Sequence, residues 1–177
     1  MSAAAGASPG LPAPTRPPEP GTTAPGFAGR THHGEDLRLE DLAGGPSALV
    51  FFPFAFSRIC GGELAALHAR RSLIERAGAR VVGVSCDAMH TLRAYAEELV
   101  SSGRGHADGP LGLTLLSDFW PHGAISESYG CFDPARGAAG RLTVVLDPEL
   151  TVTAVQTSGA GEARDPDRTV DLLRRAG

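Results

Sequence analysis

The chain has 177 residues, three cysteines, 23 glycines, 14 prolines and a formal net charge of −4. Roughly 100–200 residues make one domain, so this length fits a single domain with a sizeable core. All 16 basic residues are Arg, which excludes a Schiff-base lysine, a P-loop lysine and a pyridoxal phosphate anchor; mild acidity without a basic cluster excludes nucleic acid as a partner.

Seven prolines fall within the first 25 residues. Residues 1–20 therefore read as a disordered Ala/Pro/Gly-rich tail, too poor in large apolar side chains to offset the entropy of ordering, and residues 21–177 as the folded domain. The tail does not read as a secretory signal, because its first basic residue is Arg16 and no apolar core follows. The longest apolar run, residues 48–56, is far short of the ~20 a membrane span needs. An odd, sparse set of cysteines argues against a secreted disulfide framework and for the reducing cytoplasm.

Residues 48–54 (ALVFFPF) form a continuous apolar run, which predicts a strand buried on both faces. Residues 61–77 predict one helix, with Leu64, Leu67 and Ile74 on a stripe and Gly78 as its stop. Residues 80–85 (RVVGVS) predict a second buried strand, and 90–100 a second helix with Leu92, Tyr95, Ala96 and Leu99 at helical spacing. Residues 101–110 read as a Gly-rich loop, 113–116 as a short strand, and 121–127 as one or two helical turns. Residues 141–147 and 151–157 predict a hairpin across Pro148-Glu149-Leu150. Asp165-Pro166 suits the cap and first position of a closing helix to Arg175.

This order is an α/β pattern whose first two strands should run parallel through a right-handed crossover. Reactive groups gather at the carboxyl ends of such strands. Cys60 and Cys86 both fall there. Cys60 lies at a helix start, where free N–H groups and the dipole favour a thiolate. Gly61 and Gly62 allow close approach to the backbone, Ser57 can set a hydroxyl beside the sulfur, and Pro53 carries no donor. From these residues alone, a packed and inert cysteine remains the alternative.

Pro53, Ser57 and Cys60 match P-x-x-x-[T/S]-x-x-C, so the segment resembles the active-site motif of the peroxiredoxins. Residues 21–27 (GTTAPGF), 115–123 (LLSDFWPHG), Tyr129-Gly130 and 140–147 (GRLTVVLD) are similar to the AhpE branch, the one-cysteine alkyl hydroperoxide reductases of actinobacteria. The likeness covers about residues 21–170. It implies a thioredoxin-like fold, a central mixed sheet flanked by helices, acting as a thiol peroxidase without metal, flavin or nucleotide. By the same resemblance Cys60 is the peroxidatic nucleophile, Arg141 holds the thiolate and the breaking O–O bond, and Ser57 positions the peroxide. Serine in place of the usual threonine keeps the hydroxyl and loses the stiff branched side chain. Glu63 reads as helix-start electrostatics beside the site.

Two residues depart from the pattern. Arg58 stands where a small residue is usual, with a charge at the entrance and an exposed side chain as its two readings. Gly26 replaces an aspartate, which removes an N-terminal hydrogen bond. Recycling of the sulfenic acid stays open: Cys86, in GVSCD at a strand end, reads either as a resolving cysteine or as packing, and Cys131 reads as packing. If neither resolves, an external thiol must, and the resemblance implies mycoredoxin with mycothiol, or thioredoxin, along with a homodimer. A non-catalytic redox sensor oxidised at Cys60 is the reading from a different class. GVSCD lacks the second glycine of a nucleophile elbow, and Cys86 with His90, or His32 with His33, lacks the further ligands of a zinc site.

Overall fold

The computed structural model describes residues 16–101, 110–159 and 162–177. Residues 1–15, most of the expected tail, lie outside the described residues, as does 102–109 of the expected Gly-rich loop. Two short strands come first, β1 (Ala28–Thr31) and β2 (Asp36–Arg38), joined as an antiparallel pair. Their mostly polar or small residues carry no apolar alternation, which is why the sequence pattern does not announce them. A 3-10 turn over Leu39–Leu42 buries both leucines.

The apolar run becomes β3 (Ser47–Phe51), entirely buried. It stops short of the predicted Phe54: Phe52 still donates its N–H to Val84 O at 3.0 Å, but Pro53 has no N–H to continue the ladder. The single helix predicted over 61–77 is two: α1 (Arg58–Ala69) and α2 (Arg71–Arg76). Ser57 moves the start forward by capping it. The break falls at Arg70, whose guanidinium reaches out to Asp167 at 2.6 and 2.7 Å while its N–H bonds tightly back to Leu67 O. Next come β4 (Arg80–Ser85), α3 (Met89–Ser101), β5 (Thr114–Ser117) and the short α4 (Ala124–Ser128). A two-residue pair, β6 (Phe132–Asp133) and β7 (Ala138–Ala139), precedes the predicted hairpin of β8 (Leu142–Leu146) and β9 (Val152–Thr157). α5 (Pro166–Ala176) closes the order, capped by Asp165 as expected.

Seven strands form one mixed sheet in the order β2-β1-β5-β4-β3-β8-β9. The central β3, β4 and β5 are parallel, and β1 and β8 flank them antiparallel. Strand parity sorts the core into two layers. Ala48, Val50, Val81, Leu115 and Val145 face α1, α2, α3 and α5; Leu49, Phe51, Val82, Val84, Leu116 and Val144 face the N-terminal segment and α4. In that second layer the Tyr129 hydroxyl donates to Pro25 O at 2.8 Å, which brings two separated sequence motifs together. Gly26 is exposed, and a Cβ built there would meet open space.

α4 depends on Asp118. Its buried carboxylate accepts from Ile125 N (2.9 Å), Ser126 N (2.8 Å) and Ser126 Oγ (2.7 Å). Burial raises the Asp118 carboxyl above its ordinary value. Such a group binds its proton more tightly when folded, so its contribution to stability is greatest at low pH and falls as pH rises through the folded-state value. Asp118→Ala should lower the unfolding free energy at pH 7 by roughly 2–4 kcal/mol in urea titrations, because three buried donors lose their acceptor. The gap from the parent should widen between pH 7 and pH 4.

Candidate active site

The turn after β3 sets the geometry. Phe56 adopts φ 60°, a left-handed conformation that costs a non-glycine residue about 1–2 kcal/mol. Two contacts hold the turn in place. The Phe56 ring packs on Tyr95 at 5.0 Å, and Ala55 N donates to Asp87 Oδ2 at 2.8 Å. Asp87 is itself fixed by Ser85 Oγ at 2.9 Å. The chain then enters α1 with Ser57 as N-cap: its Oγ accepts from Cys60 N at 3.4 Å and its carbonyl from Gly61 N at 2.9 Å. Cys60 thus stands in the first turn of the helix, fully buried and facing the α1–α3–α5 layer.

Arg141 arrives from the opposite direction, one residue ahead of β8. It is buried, with Nη2 donating to Cys60 Sγ at 3.3 Å and Nη1 to Glu63 Oε2 at 2.5 Å. Glu63 follows Cys60 by three residues on α1 and carries more than the helix-start role expected of it. Both its oxygens also bind Arg164: Oε1 accepts from the backbone N at 2.6 Å and from Nε at 3.2 Å, and Oε2 accepts from Nη2 at 3.1 Å. Arg164 Nη1 donates further to Phe51 O and Leu142 O, each at 2.8 Å. All three charged side chains are 5% exposed or less. Two guanidiniums sharing one carboxylate leave a formal +1 in a closed setting, with the Cys60 sulfur against it. A negative sulfur would neutralise the cluster. Arg141 Nε, buried and without a partner among the described residues, is a further donor beside it.

Ser57, Cys60 and Arg141 meet at the start of α1, and Pro53 lies buried just beyond β3. Arg58 is exposed and is hydrogen-bonded to neither Cys60 nor Arg141; it borders a pocket of about 390 Å³ that Glu63 and Arg164 also line. Cys86 is set apart by parity: along β4, Val82 and Val84 face the second layer, and Cys86 continues that side. Its neighbours are Ser126 and Ala139. Burial, with the Asp118 charge adding to it, pushes the Cys86 thiol up to about 11 and Cys131 to about 12. All three thiols are free, and neither of these two is hydrogen-bonded to Cys60. Arg164 and Asp87 are invisible to sequence reasoning. Their partners lie 101 and 32 residues away, and no local spacing marks them.

The AhpC/TSA family pattern matches residues 20–155. Alkyl hydroperoxide reductase E of Mycobacterium tuberculosis is 34% identical over 154 residues, covering 86% of this chain and 94% of that protein. Alkyl hydroperoxide reductase C of Staphylococcus aureus is 27% identical over 156 residues, covering 87% and 77%. Among solved structures, peroxidoxin BcpB from Mycobacterium tuberculosis superposes with a TM-score of 0.74 at 25% identity, over 88% of this chain and 96% of that one.

Glu63→Gln keeps the shape of the side chain and removes its charge, leaving two buried guanidiniums uncompensated. It should cost roughly 3–5 kcal/mol of unfolding free energy, measured by chemical denaturation. Exposed Arg58→Ala should change stability by less than about 0.5 kcal/mol.

Proposed function

The chain belongs to the AhpC/TSA family and is a thiol-dependent peroxidase, and within that reaction we propose that Cys60 is the attacking thiolate. The contact that carries this assignment is Arg141 Nη2 on Cys60 Sγ. The sulfur attacks one oxygen of a hydroperoxide, forming an S–O bond as the O–O bond breaks. The electron pair leaves on the second oxygen, which takes up a proton and departs as water or an alcohol, and Cys60 is left as a sulfenic acid. Arg141 holds the anionic sulfur and then the departing oxygen, for which its Nε is a ready donor. Ser57 accepts from Cys60 N through its oxygen and keeps its hydroxyl proton for the peroxide. Pro53, buried, places no competing donor beside the sulfur.

Recycling is by an external thiol. One reducing thiol condenses with the sulfenic acid and releases water; a second thiol opens the mixed disulfide and restores Cys60. What supports this route over Cys86 is the sheet between them and the high values of both remaining thiols, which keep Cys86 and Cys131 protonated and poorly nucleophilic at neutral pH. Mycoredoxin with mycothiol, or thioredoxin, supplies those thiols in this reading, and three unpaired cysteines suit the cytoplasm. Phe54 and Phe56, exposed on the turn that leads to Cys60, suit an organic hydroperoxide. We read the catalytic domain as residues 21–177, since Gly21 N already donates to Val152 O at 2.7 Å, and the working unit as a homodimer.

Peroxide consumption with an excess of reducing thiol tests the assignment. Cys60→Ser should abolish turnover, and Arg141→Met should lower the rate of sulfenic acid formation by roughly 10²–10³-fold. The double variant Cys86→Ser/Cys131→Ser should turn over at the parent rate. Unchanged consumption in Cys60→Ser would overturn the assignment, and a Cys60–Cys86 bridge in peptide maps after one equivalent of peroxide would overturn the external route.

A further inference from the structure

The ladder between β3 and β4 runs out at Phe52, whose N–H meets Val84 O, because Pro53 has no N–H to extend it. Beyond that point the two segments are joined again by a side chain: Ala55 N donates to Asp87 Oδ2 at 2.8 Å. Two serines hold Asp87 in place. Ser85 Oγ donates to the same carboxylate oxygen at 2.9 Å and accepts from Asp87 N at 3.3 Å. From β5, Ser117 Oγ donates to Asp87 O at 2.7 Å. Asp87 therefore belongs to the edge of the parallel sheet and reaches across to the segment that leads into α1.

Between Ala55 and Ser57 lies only Phe56, in its left-handed conformation. A non-glycine residue stays there only where its surroundings over-determine it. One constraint is the Phe56 ring on Tyr95, at 5.0 Å, with Tyr95 also meeting the Phe52 ring at 6.2 Å. The other is the Asp87 bond at the preceding residue. The ring contact is partial, since Phe56 is 54% exposed; the Asp87 bond is the directional one and fixes a peptide plane. Immediately afterwards Ser57 caps α1, with φ −69° and ψ 141°, and Cys60 follows in the first turn. A rotation at Phe56 turns Ser57, and with it both the hydroxyl and the cap beneath Cys60.

We propose that Asp87 is a positioning residue for peroxide reduction: its carboxylate holds the Ala55 N–H, keeps Phe56 left-handed, and so aims the Ser57 hydroxyl and the Cys60 sulfur at one point. The inference rests on the reading of Cys60 as the attacking thiolate and adds to it a group that acts through the turn. The acceptor oxygen does this, not the negative charge, and an amide oxygen in its place accepts from the same two donors. Attack on an O–O bond needs the sulfur, both oxygens and the hydroxyl in register, whereas alkylation of a thiolate needs only that the sulfur be reached. Loss of the tether therefore slows the two reactions unequally.

The test compares two reactions of Cys60 in the full chain, each followed by the mass of the Cys60 peptide: sulfenic acid formation with hydrogen peroxide, trapped by dimedone, and alkylation by iodoacetamide. Asp87→Ala should slow the first by about 10–100-fold, the scale of a misplacement of an ångström, and leave the second at the parent rate or faster. Asp87→Asn, which keeps the acceptor, should stay within about threefold of the parent in both. Should Asp87→Ala fail to unfold cooperatively, Ser85→Ala, which frees the carboxylate from its own strand, decides: the same selective slowing, by about threefold or more, is expected. Sulfenic acid formation at the parent rate in the deciding variant, an Asn variant as slow as the Ala variant, or equal slowing of both reactions would each overturn the proposal. A parent chain whose Cys60 forms no sulfenic acid overturns the Cys60 assignment itself, which separates the two failures.

Discussion

Much of the reactive end of this molecule depends on one carboxylate shared by two guanidiniums. Glu63 accepts four hydrogen bonds from Arg141 and Arg164, and all three side chains are almost wholly buried. Charges taken out of water cost several kcal/mol each unless partners surround them, so the three side chains must be placed together or not at all. That requirement constrains three elements at once. It fixes the rotation of α1, sets the start of β8 beside it, and anchors the segment before α5 through Arg164 to the carbonyls of Phe51 and Leu142. The resulting excess of one positive charge lies against the only thiol on that face of the sheet.

The sheet separates that thiol from the other two. Side chains alternate along a strand, so one residue of offset moves a group to the opposite layer. Cys86 continues the parity of Val82 and Val84, beside Ser126 and Ala139, where burial and the Asp118 carboxylate both disfavour a negative sulfur. Cys131 shares that setting. Three cysteines of identical intrinsic chemistry thus divide into one beside a cation and two beside an anion.

Much of this is legible in the chain itself, and the reasons differ by element. β3 and β4 announce themselves because strands buried on both faces must be continuously apolar, and Asp165-Pro166 marks α5 because capping is a local matter. Pro53, Ser57, Cys60 and Arg141 are marked by motif. The parity of Cys86 is also present in RVVGVSC, once Val81 and Gly83 are known to face the helices. The division of the helix at Arg70 is hidden, because the stripe of Leu64, Leu67 and Ile74 continues through it and the partner that draws Arg70 outward, Asp167, is 97 residues away. Arg164 is hidden for the same reason: its role consists wholly of distant contacts.

Those distant contacts bear on how the protein is born. Chains emerge from the ribosome in order, and folding follows emergence. Cys60 appears 81 residues ahead of the guanidinium that contacts it and more than a hundred ahead of Arg164. A nascent chain that has reached only α3 therefore carries the thiol without either cation beside it. The contact between Arg141 and Cys60 thus forms only when the sheet has been completed through β8.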